Sequence, residues 1–263
     1  METAAWTQAV RHPFGLGRLL PLGGPADGAW ITERAAVEAL GRAANEIAGV
    51  RLESLRIGPA PLEFVSEPAV RPPAGAMPPG PLTIEAAFSA SLGQPLPETA
   101  EELRSRLLDA AARRLGLTTV AADLRITDLH EVPQTGTEAR TAARPITPTP
   151  TPYGTAAAPT AAPRSSRPVT GAGFPRGLGG DLADVATGVP GVAGLTTVLG
   201  SRPVRTQDRA DPPDRRVEVH LAVAPGHHPL EVARAVRTAV ADAAATGAPG
   251  PVTVAVLITE TAA

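Results

Sequence analysis

The chain contains no cysteine and no lysine, and each absence removes a class of chemistry. All 24 basic residues among its 263 are arginine. Without cysteine there are no disulfides, thiolate nucleophiles or cysteine zinc sites. Without lysine there is neither a Schiff-base nucleophile nor a P-loop lysine to hold a phosphate. An all-arginine set together with abundant alanine is typical of a high-GC genome.

Long apolar runs are also missing. No stretch approaches the roughly 20 apolar residues that span a bilayer, and no apolar run follows a basic start at the amino terminus. We therefore expect a cytoplasmic protein without direct membrane insertion. The net charge of −2 and the aromatic content of 3% offer no general attraction to nucleic acid, whose binding depends on clustered positive charge.

Proline-rich segments divide the chain. Residues 131–177 are rich in proline, threonine and alanine, and such a composition predicts a disordered linker because it cannot bury enough apolar surface. Residues 58–81 are predicted to form a long proline-rich loop, in which Leu62–Val65 could be a short edge strand.

The two flanks of the linker share a repeated pattern. Ile84 and Phe88 align without a gap with Val217 and Leu221, 133 positions later, and beyond the loss of one residue Val120 aligns with Val252. The alignment also pairs glycines, glutamates and apolar helix positions. This agreement of glycine, glutamate and strand phase predicts that one supersecondary unit occurs twice.

Each copy is predicted to follow the order helix, strand, strand, helix, strand. The first copy spans residues 28–130, and the second spans 178–260 and is truncated, because most of its first helix before Gly180 is missing. A single crossover helix between the last two strands favours a parallel connection. The predicted fold class is α+β, with two tandem two-layer α/β sandwiches, each containing a small mixed three-stranded sheet.

An amino-terminal extension, residues 1–27, precedes the first copy. It carries an apolar patch that is predicted to dock on the first copy or on a partner. The patch residues are Phe14, Leu16, Leu19, Leu20 and Leu22.

The order of elements resembles the alkaline shock protein 23 / general stress protein 24 family of bacterial envelope-stress proteins. The segments that carry the resemblance are "AANEIAGV", "LTIEAAFSASLGQPLPETAEELRSRL" and "VAADLRITDL" in copy one, and "VATGVPGV", "VEVHLAVAPGHHPLEVARAVRTAV" and "VTVAVLITE" in copy two. The resemblance implies a non-enzymatic protein that acts through protein contacts at the cytoplasmic side of the envelope. The chain departs from the family in having two copies and in lacking its tyrosine–glycine turn.

The sequence shows no catalytic constellation. The adjacent His227 and His228 are weak metal candidates, because neighbouring side chains in a turn diverge, and His220 points to the other face of its strand. We therefore expect no metal site, no cofactor site and no catalytic residue. Residues that are matched between the copies are predicted to serve the fold or an interface: Gly93, Glu98, Leu103, Leu107, Gly226, Glu231, Val236 and Val240, with Arg104 and Arg237 in equivalent helix positions.

The sequence is compatible with three functions. The first is a non-enzymatic scaffold that binds a protein partner, which could be membrane-anchored, or a second copy of itself. The second is a nucleic-acid-binding module, since the element order is similar to that of KH domains, although the GXXG loop is absent. The third is a hydrolase, for which no G-x-S-x-G motif is present.

Overall fold

The computed structural model describes residues 18–61, 67–131, 177–197 and 202–261. Nine strands and four α-helices form in these residues, with two mixed sheets, which confirms the predicted α+β class. Almost all of the predicted linker, the patch residues Phe14 and Leu16, and the suggested strand at Leu62–Val65 lie outside the described residues. In chain order the elements are β1 (Leu19–Leu22), β2 (Ala29–Thr32), α1 (Glu33–Ala44), β3 (Val50–Pro59), β4 (Leu82–Ser91), α2 (Leu96–Asp109), β5 (Thr119–His130), α3 (Leu178–Thr187), β6 (Val192–Leu195), β7 (Val204–Ala210), β8 (Pro213–Val223), α4 (Pro229–Ala245) and β9 (Val252–Thr261).

The smaller sheet has three strands, in the order β3–β4–β5. The central strand β4 is antiparallel to β3 and parallel to β5, and α2 is the crossover between the two parallel strands. Alternate β4 residues, among them Ile84 and Phe88, are fully buried on the side of the sheet that α1 and α2 cover. A π-helical turn, Ala110–Leu115, continues α2 as far as Gly116, which ends the helix with a φ of +83°.

Helix α1 lies against both sheets. Thr32 begins the helix, because its side-chain oxygen accepts a hydrogen bond from the Ala35 N–H group at 3.3 Å, a usual role for threonine at this position. The Thr32 hydroxyl also donates to the Thr259 carbonyl of β9 at 3.1 Å. The helix packs against β3 of the smaller sheet and β9 of the larger one, and so connects the two halves of the chain.

The larger sheet has six strands, so the predicted three-stranded sheet for the second copy is wrong. The order is β1–β2–β9–β8–β6, and β7 also pairs with β8. Strand β6 pairs with the last residues of β8 (Leu221–Val223), and β7 pairs with its earlier part (Pro213–Val219). The two short strands thus share the edge that β3 alone occupies beside β4.

The amino-terminal segment belongs to this larger sheet, and the described part of its apolar patch docks, as predicted, on residues 28–130, through strand β2. Leu20 and Leu22 are buried in β1, which pairs with β2, and β2 runs parallel to β9. Strand β9 is apolar on both faces. The pairing of β2 beside it, and the packing of other residues over both strands, therefore bury surface that would otherwise be exposed to water.

Helix α3 is the first helix of the second half, and only two of its residues precede Gly180. It runs from Leu178 to Thr187, and Leu182, Ala183 and Ala186 are buried. Glycines at 179 and 180 lower the intrinsic helix propensity of its first turn. Packing of the apolar face of α3 on α4 outweighs that preference, as tertiary contacts commonly do.

The proline-rich segment covers the other face of the larger sheet. Apart from a single bridge between Ala76 and Leu19, its described residues after Ala60 form no helix or strand. Val70 packs with Trp30, Ala255 and Leu257 in a small apolar cluster. The Trp30 indole N–H group donates to the Met77 carbonyl at 3.2 Å, so this loop closes the face that the helices leave open.

The two halves share one hydrophobic core. A single cluster contains Ile84 and Phe88 of the smaller sheet together with Val217 and Val256 of the larger one. Across the described part of the chain, no helix combines the length and the apolar character that crossing a membrane requires.

Candidate functional site

The residues predicted to be matched between the two copies fall into two groups. Leu103, Leu107, Val236 and Val240 are fully buried in the common core, so their role is in the fold. The two glycines and the two glutamates lie in exposed turns or first helical turns. The glycines differ, since Gly226 has a φ of +76° and Gly93 does not have a positive φ.

The two equivalent arginines reach backbone carbonyl groups outside their own helices. The Arg104 side chain donates to the Ala122 carbonyl of β5 at 3.2 Å and pairs with Glu101. The Arg237 side chain donates to the carbonyls of Ala26 and Asp27, in the turn that precedes β2. Arg104 therefore holds α2 on the last strand of its half, whereas Arg237 holds α4 on the turn before β2, the strand that pairs with β9.

The histidine pair packs against two glycine turns. A Cβ atom at Gly191 would lie 2.9 Å from His227 Cγ, and a Cβ atom at Gly116 would lie 3.0 Å from His228 Cε1. His228 also precedes α4 as its N-cap residue. The two rings thus contact different halves of the molecule, and His220 lies away from them on the opposite face of β8.

An open groove of about 390 Å³ runs between the halves beside these histidines. Three arginines line it, and each already has a partner: Arg114 donates to Glu46 at 2.7 Å, Arg113 to Asp109 at 2.8 Å, and Arg42 to Thr261 Oγ1 at 3.3 Å. The hydrogen bond from Arg114 lowers the pKa of Glu46, against a smaller opposing effect of burial. The groove is therefore basic, but its charge is largely neutralised.

His220 is buried on the loop-covered side of the larger sheet, with an exposed fraction of 4%. Its Nε2 atom lies 2.6 Å from Glu218 Oε1, and this hydrogen bond lowers the pKa of Glu218 despite burial of the carboxylate. Sequence alternation correctly placed His220 opposite Val219 and Leu221. It could not indicate that this face would be covered.

Two ionic contacts were not predicted from the sequence. Asp27 accepts from Arg234 of α4 at 2.8 Å and from the Gly24 N–H group at 2.7 Å. The hydrogen bond from Arg234 is the main reason that the pKa of Asp27 is lowered. The contact joins the β1–β2 turn to α4, so it holds the amino-terminal hairpin on the second half.

The second contact is at the carboxyl end of α4. The buried Arg215 side chain makes two hydrogen bonds to Asp208, at 2.7 and 2.8 Å, and donates to the carbonyls of Ala244 and Gly247 at 2.9 and 3.2 Å. It thereby satisfies the Ala244 carbonyl, which the end of the helix leaves unpaired, and a carbonyl of the turn that follows. In the repeat alignment Arg215 stands at the position of Leu82, which is buried. This was the only indication in the sequence that Arg215 would be buried.

The most unusual surface is the free edge of β5. Four large apolar side chains are exposed in the described part of the chain, and three of them, Val120, Ile126 and Leu129, belong to this strand. The fourth, Leu92, is 59% exposed and donates its N–H group to the His130 carbonyl at the end of β5. We call this surface the β5 edge; it consists of residues 119–130 and Leu92.

Charged side chains cross the helix-free face of the smaller sheet next to the β5 edge. They lie in a shallow groove of about 430 Å³. In one row of directly opposed residues, Arg56 of β3 faces Glu85 of β4, which faces Asp123 of β5. In the next row Ala87 faces Arg125. Within the described chain none of these four charged residues forms an ion pair.

Comparisons with known proteins add no relative. No protein-family model matches the chain, and neither a curated protein nor a solved structure shows significant similarity to it. Among the described residues, no group of three or more histidine or acidic side chains could hold a metal ion.

Proposed function

We propose that the chain is a non-enzymatic protein-interaction protein, a scaffold, and that the β5 edge is its partner-binding surface. The observation that carries this proposal is the concentration of exposed apolar side chains on one edge strand. A long edge strand presents unpaired N–H and C=O groups to which another chain can add a strand. Exposed apolar residues beside them supply the surface that binding would bury.

Site-specific cross-linking in the native cell tests this function. A photoreactive residue at Ile126 should yield discrete cross-linked protein species. The matched control is the same residue at Asp242, an exposed position on α4, which should give only background. Equal, diffuse labelling from both positions would contradict the proposal.

We also propose that the two halves are divergent tandem copies of one unit. Strand registers support this duplication. Ile84 is paired with Ala122 as Val217 is with Val254, and Val50 is paired with Ala90 as Val192 is with Val223. In each case the two residues paired in the first half align, in the sequence repeat, with the two residues paired in the second half. An experimental structure in which the two sets of strands do not superpose in this register would refute it.

A role in the envelope stress response, at the cytoplasmic side and through a membrane-anchored partner, is proposed from the family resemblance alone. Fractionation of native cells provides the test. The chain should sediment with membranes through a protein partner and should be more abundant after alkaline or envelope stress. Unchanged abundance and no membrane-bound fraction would remove this part of the proposal.

A second candidate is nucleic-acid binding, and the arginine-lined groove is the observation that favours it. Binding there should weaken steeply with salt, because phosphate contacts release counterions. Fluorescence anisotropy with single-stranded RNA at about 50 and 200 mM salt tests it on the native chain and on Arg113→Glu. Absence of salt-dependent binding leaves the scaffold function alone.

A further inference from the structure

We infer that the β5 edge pairs antiparallel with the β5 edge of a second copy of this chain, about a two-fold axis through Leu124. This inference rests on the proposed function and names its partner. The pairing would join two three-stranded sheets into one continuous sheet. The helices of both copies would lie on the same side of it, since an axis perpendicular to a sheet preserves its faces.

The backbone at the centre of β5 has the orientation that this pairing requires. The Leu82 N–H group donates to the Thr118 carbonyl, and the register of β4 and β5 is regular from Thr83 to Phe88. In a regular parallel pair, alternate residues of each strand bond to the other strand, and the residue opposite a bonding residue points away from it. On β4 the bonding residues are those in phase with Leu82, and Ala122, Leu124 and Ile126 lie opposite them. The peptide groups of Ala122, Leu124 and Ile126 therefore point out of the edge, and the hydrogen bond from Arg104 to the Ala122 carbonyl agrees with this.

An axis at Leu124 pairs these outward groups completely. Leu124 faces its own copy, and Ala122 faces Ile126 of the second copy, which gives about six interchain hydrogen bonds. The Ala122 carbonyl can accept one of them while it remains bound to Arg104, because a carbonyl oxygen has two lone pairs. The exposed Ile126 side chain would be covered by Ala122 and the neighbouring α2 of the second copy.

The charges select the same register. With the axis at Leu124, Asp123 of each copy lies directly opposite Arg125 of the other, in the closely spaced, non-hydrogen-bonded pairs. An axis one residue to either side would oppose Asp123 to Asp123 or Arg125 to Arg125. Opposite charges across a strand pair stabilise it and like charges destabilise it, so only the central register is self-complementary.

The second copy also resolves a repulsion inside the sheet. Glu85 and Asp123 are directly opposite each other in adjacent strands. Arg56 lies on the far side of Glu85, but within the described chain no cation stands on the open side of Asp123. Arg125 of a second copy would occupy that place and continue the row as Arg56, Glu85, Asp123, Arg125.

Charge reversal tests the register on the full chain. Asp123→Arg and Arg125→Asp each turn two attractive contacts per dimer into repulsive ones, and each should weaken self-association about 10- to 50-fold. An equimolar mixture of the two variants restores every contact, since one copy then carries two arginines and the other two aspartates. Sedimentation equilibrium over about 1 to 500 μM, a range that brackets the Kd of a weak dimer, measures all three samples and the native chain.

The expected result is a weak native dimer, two variants that associate more weakly by that factor and keep the native circular dichroism, and recovery of the dimer in the mixture. A native chain that stays monomeric at the highest concentration overturns the inference. So does undiminished association of either variant, which would assign the dimer to another surface. Failure of the mixture to recover overturns the register, since unfolding of the variants is excluded by their spectra.

The cross-linking experiment at Ile126 separates this inference from the proposed function. Cross-links between two copies of the chain support both. Discrete cross-links only to a different protein retain the proposed function and overturn self-pairing. Background labelling alone contradicts the proposed function itself.

Discussion

Replacing Gly116 by alanine should destabilise the whole molecule, because this glycine lies where the two halves meet. It ends the π-helical turn with a φ of +83°. A Cβ atom there would lie 2.7 Å from Leu230 Cβ and 2.9 Å from Leu230 Cδ2, in the first turn of α4. Since the first distance is to a Cβ atom, which the backbone holds in place, the turn and α4 would have to move apart.

Two contributions set the expected magnitude. An alanine in the left-handed region costs about 1 to 2 kcal/mol, and the restriction of the unfolded chain returns about 0.4 to 1 kcal/mol of this. Overpacking of a close contact adds about 1 to 3 kcal/mol. We expect Gly116→Ala to lower the free energy of unfolding by about 2 to 4 kcal/mol.

Gly226→Ala is the matched control. Gly226 has a φ of +76° and no atom within 4 Å of the added Cβ, so it should lose only about 1 kcal/mol. Urea denaturation followed by far-UV circular dichroism measures both variants. Equal losses would refute the close contact between the halves, and a native chain with two separate unfolding transitions would refute the single shared core.

Three other perturbations test the contacts that the sequence did not reveal. Asp27→Asn should flatten the dependence of stability on pH. Because the pKa of Asp27 is lowered in the folded chain, its carboxylate contributes stability above the pKa of the unfolded chain, about 4, and this contribution is lost as the pH falls through the folded value. Urea midpoints between about pH 5 and 2 measure the effect, and a pH dependence equal to that of the native chain contradicts it. Arg215→Met should lower the urea midpoint more than the control Arg209→Met and should speed amide exchange at residues 244–247, because it removes the partner of Asp208 and of the Ala244 and Gly247 carbonyls. Equal midpoints would show that the network adds nothing. Residues 177–261 alone should not fold cooperatively, since β2 and the common core would be missing, and a stable monomeric fragment would overturn that reasoning.

The helix–strand–strand–helix–strand order of the first half could be predicted from sequence because its signals are local. Ile84, Phe88, Leu103 and Leu107 recur at strand and helix spacing, and Gly116 provides the left-handed residue that ends a helix. Each of these positions has the predicted burial or conformation. Local pattern sufficed where the partners of an element are its neighbours along the chain.

The composition of the larger sheet could not be predicted, because its signals are either long-range or missing. Ala29 pairs with Val256, and no periodicity within β2 identifies so distant a strand. In β7 only Val204 is buried, and so the strand lacks the apolar alternation that would have marked it. Pairing with β8, and not the character of its own side chains, makes this segment a strand.

The candidate surface was missed for a related reason. Val120 and Ile126 fit the apolar phase of β5, and that phase does not distinguish a buried position from an exposed one. The structure leaves them exposed because β5 ends the sheet. Whether an apolar strand position is buried depends on which strands and helices lie beside it, and the sequence of the strand does not contain that information.

Strand β5 carries charged residues at positions where the corresponding strand β9 is apolar. Both strands run parallel to the central strand of their half, and Asp123 faces Glu85 as Ala255 faces Glu218. At β9 the edge is covered by β2, and the residues at the two corresponding positions are the buried Ala255 and Leu257. At β5 no described strand covers the edge, and the same positions hold Asp123 and Arg125.

Charged residues on a free edge ordinarily discourage pairing with other chains. Charges of one sign would serve that purpose against every copy of the chain in any register. An aspartate and an arginine placed symmetrically about Leu124 instead leave one register in which two copies attract each other. The charges therefore discourage pairing with most strands but favour pairing with β5 of a second copy. The mixed charge-reversal experiment distinguishes this arrangement from charges that only prevent pairing.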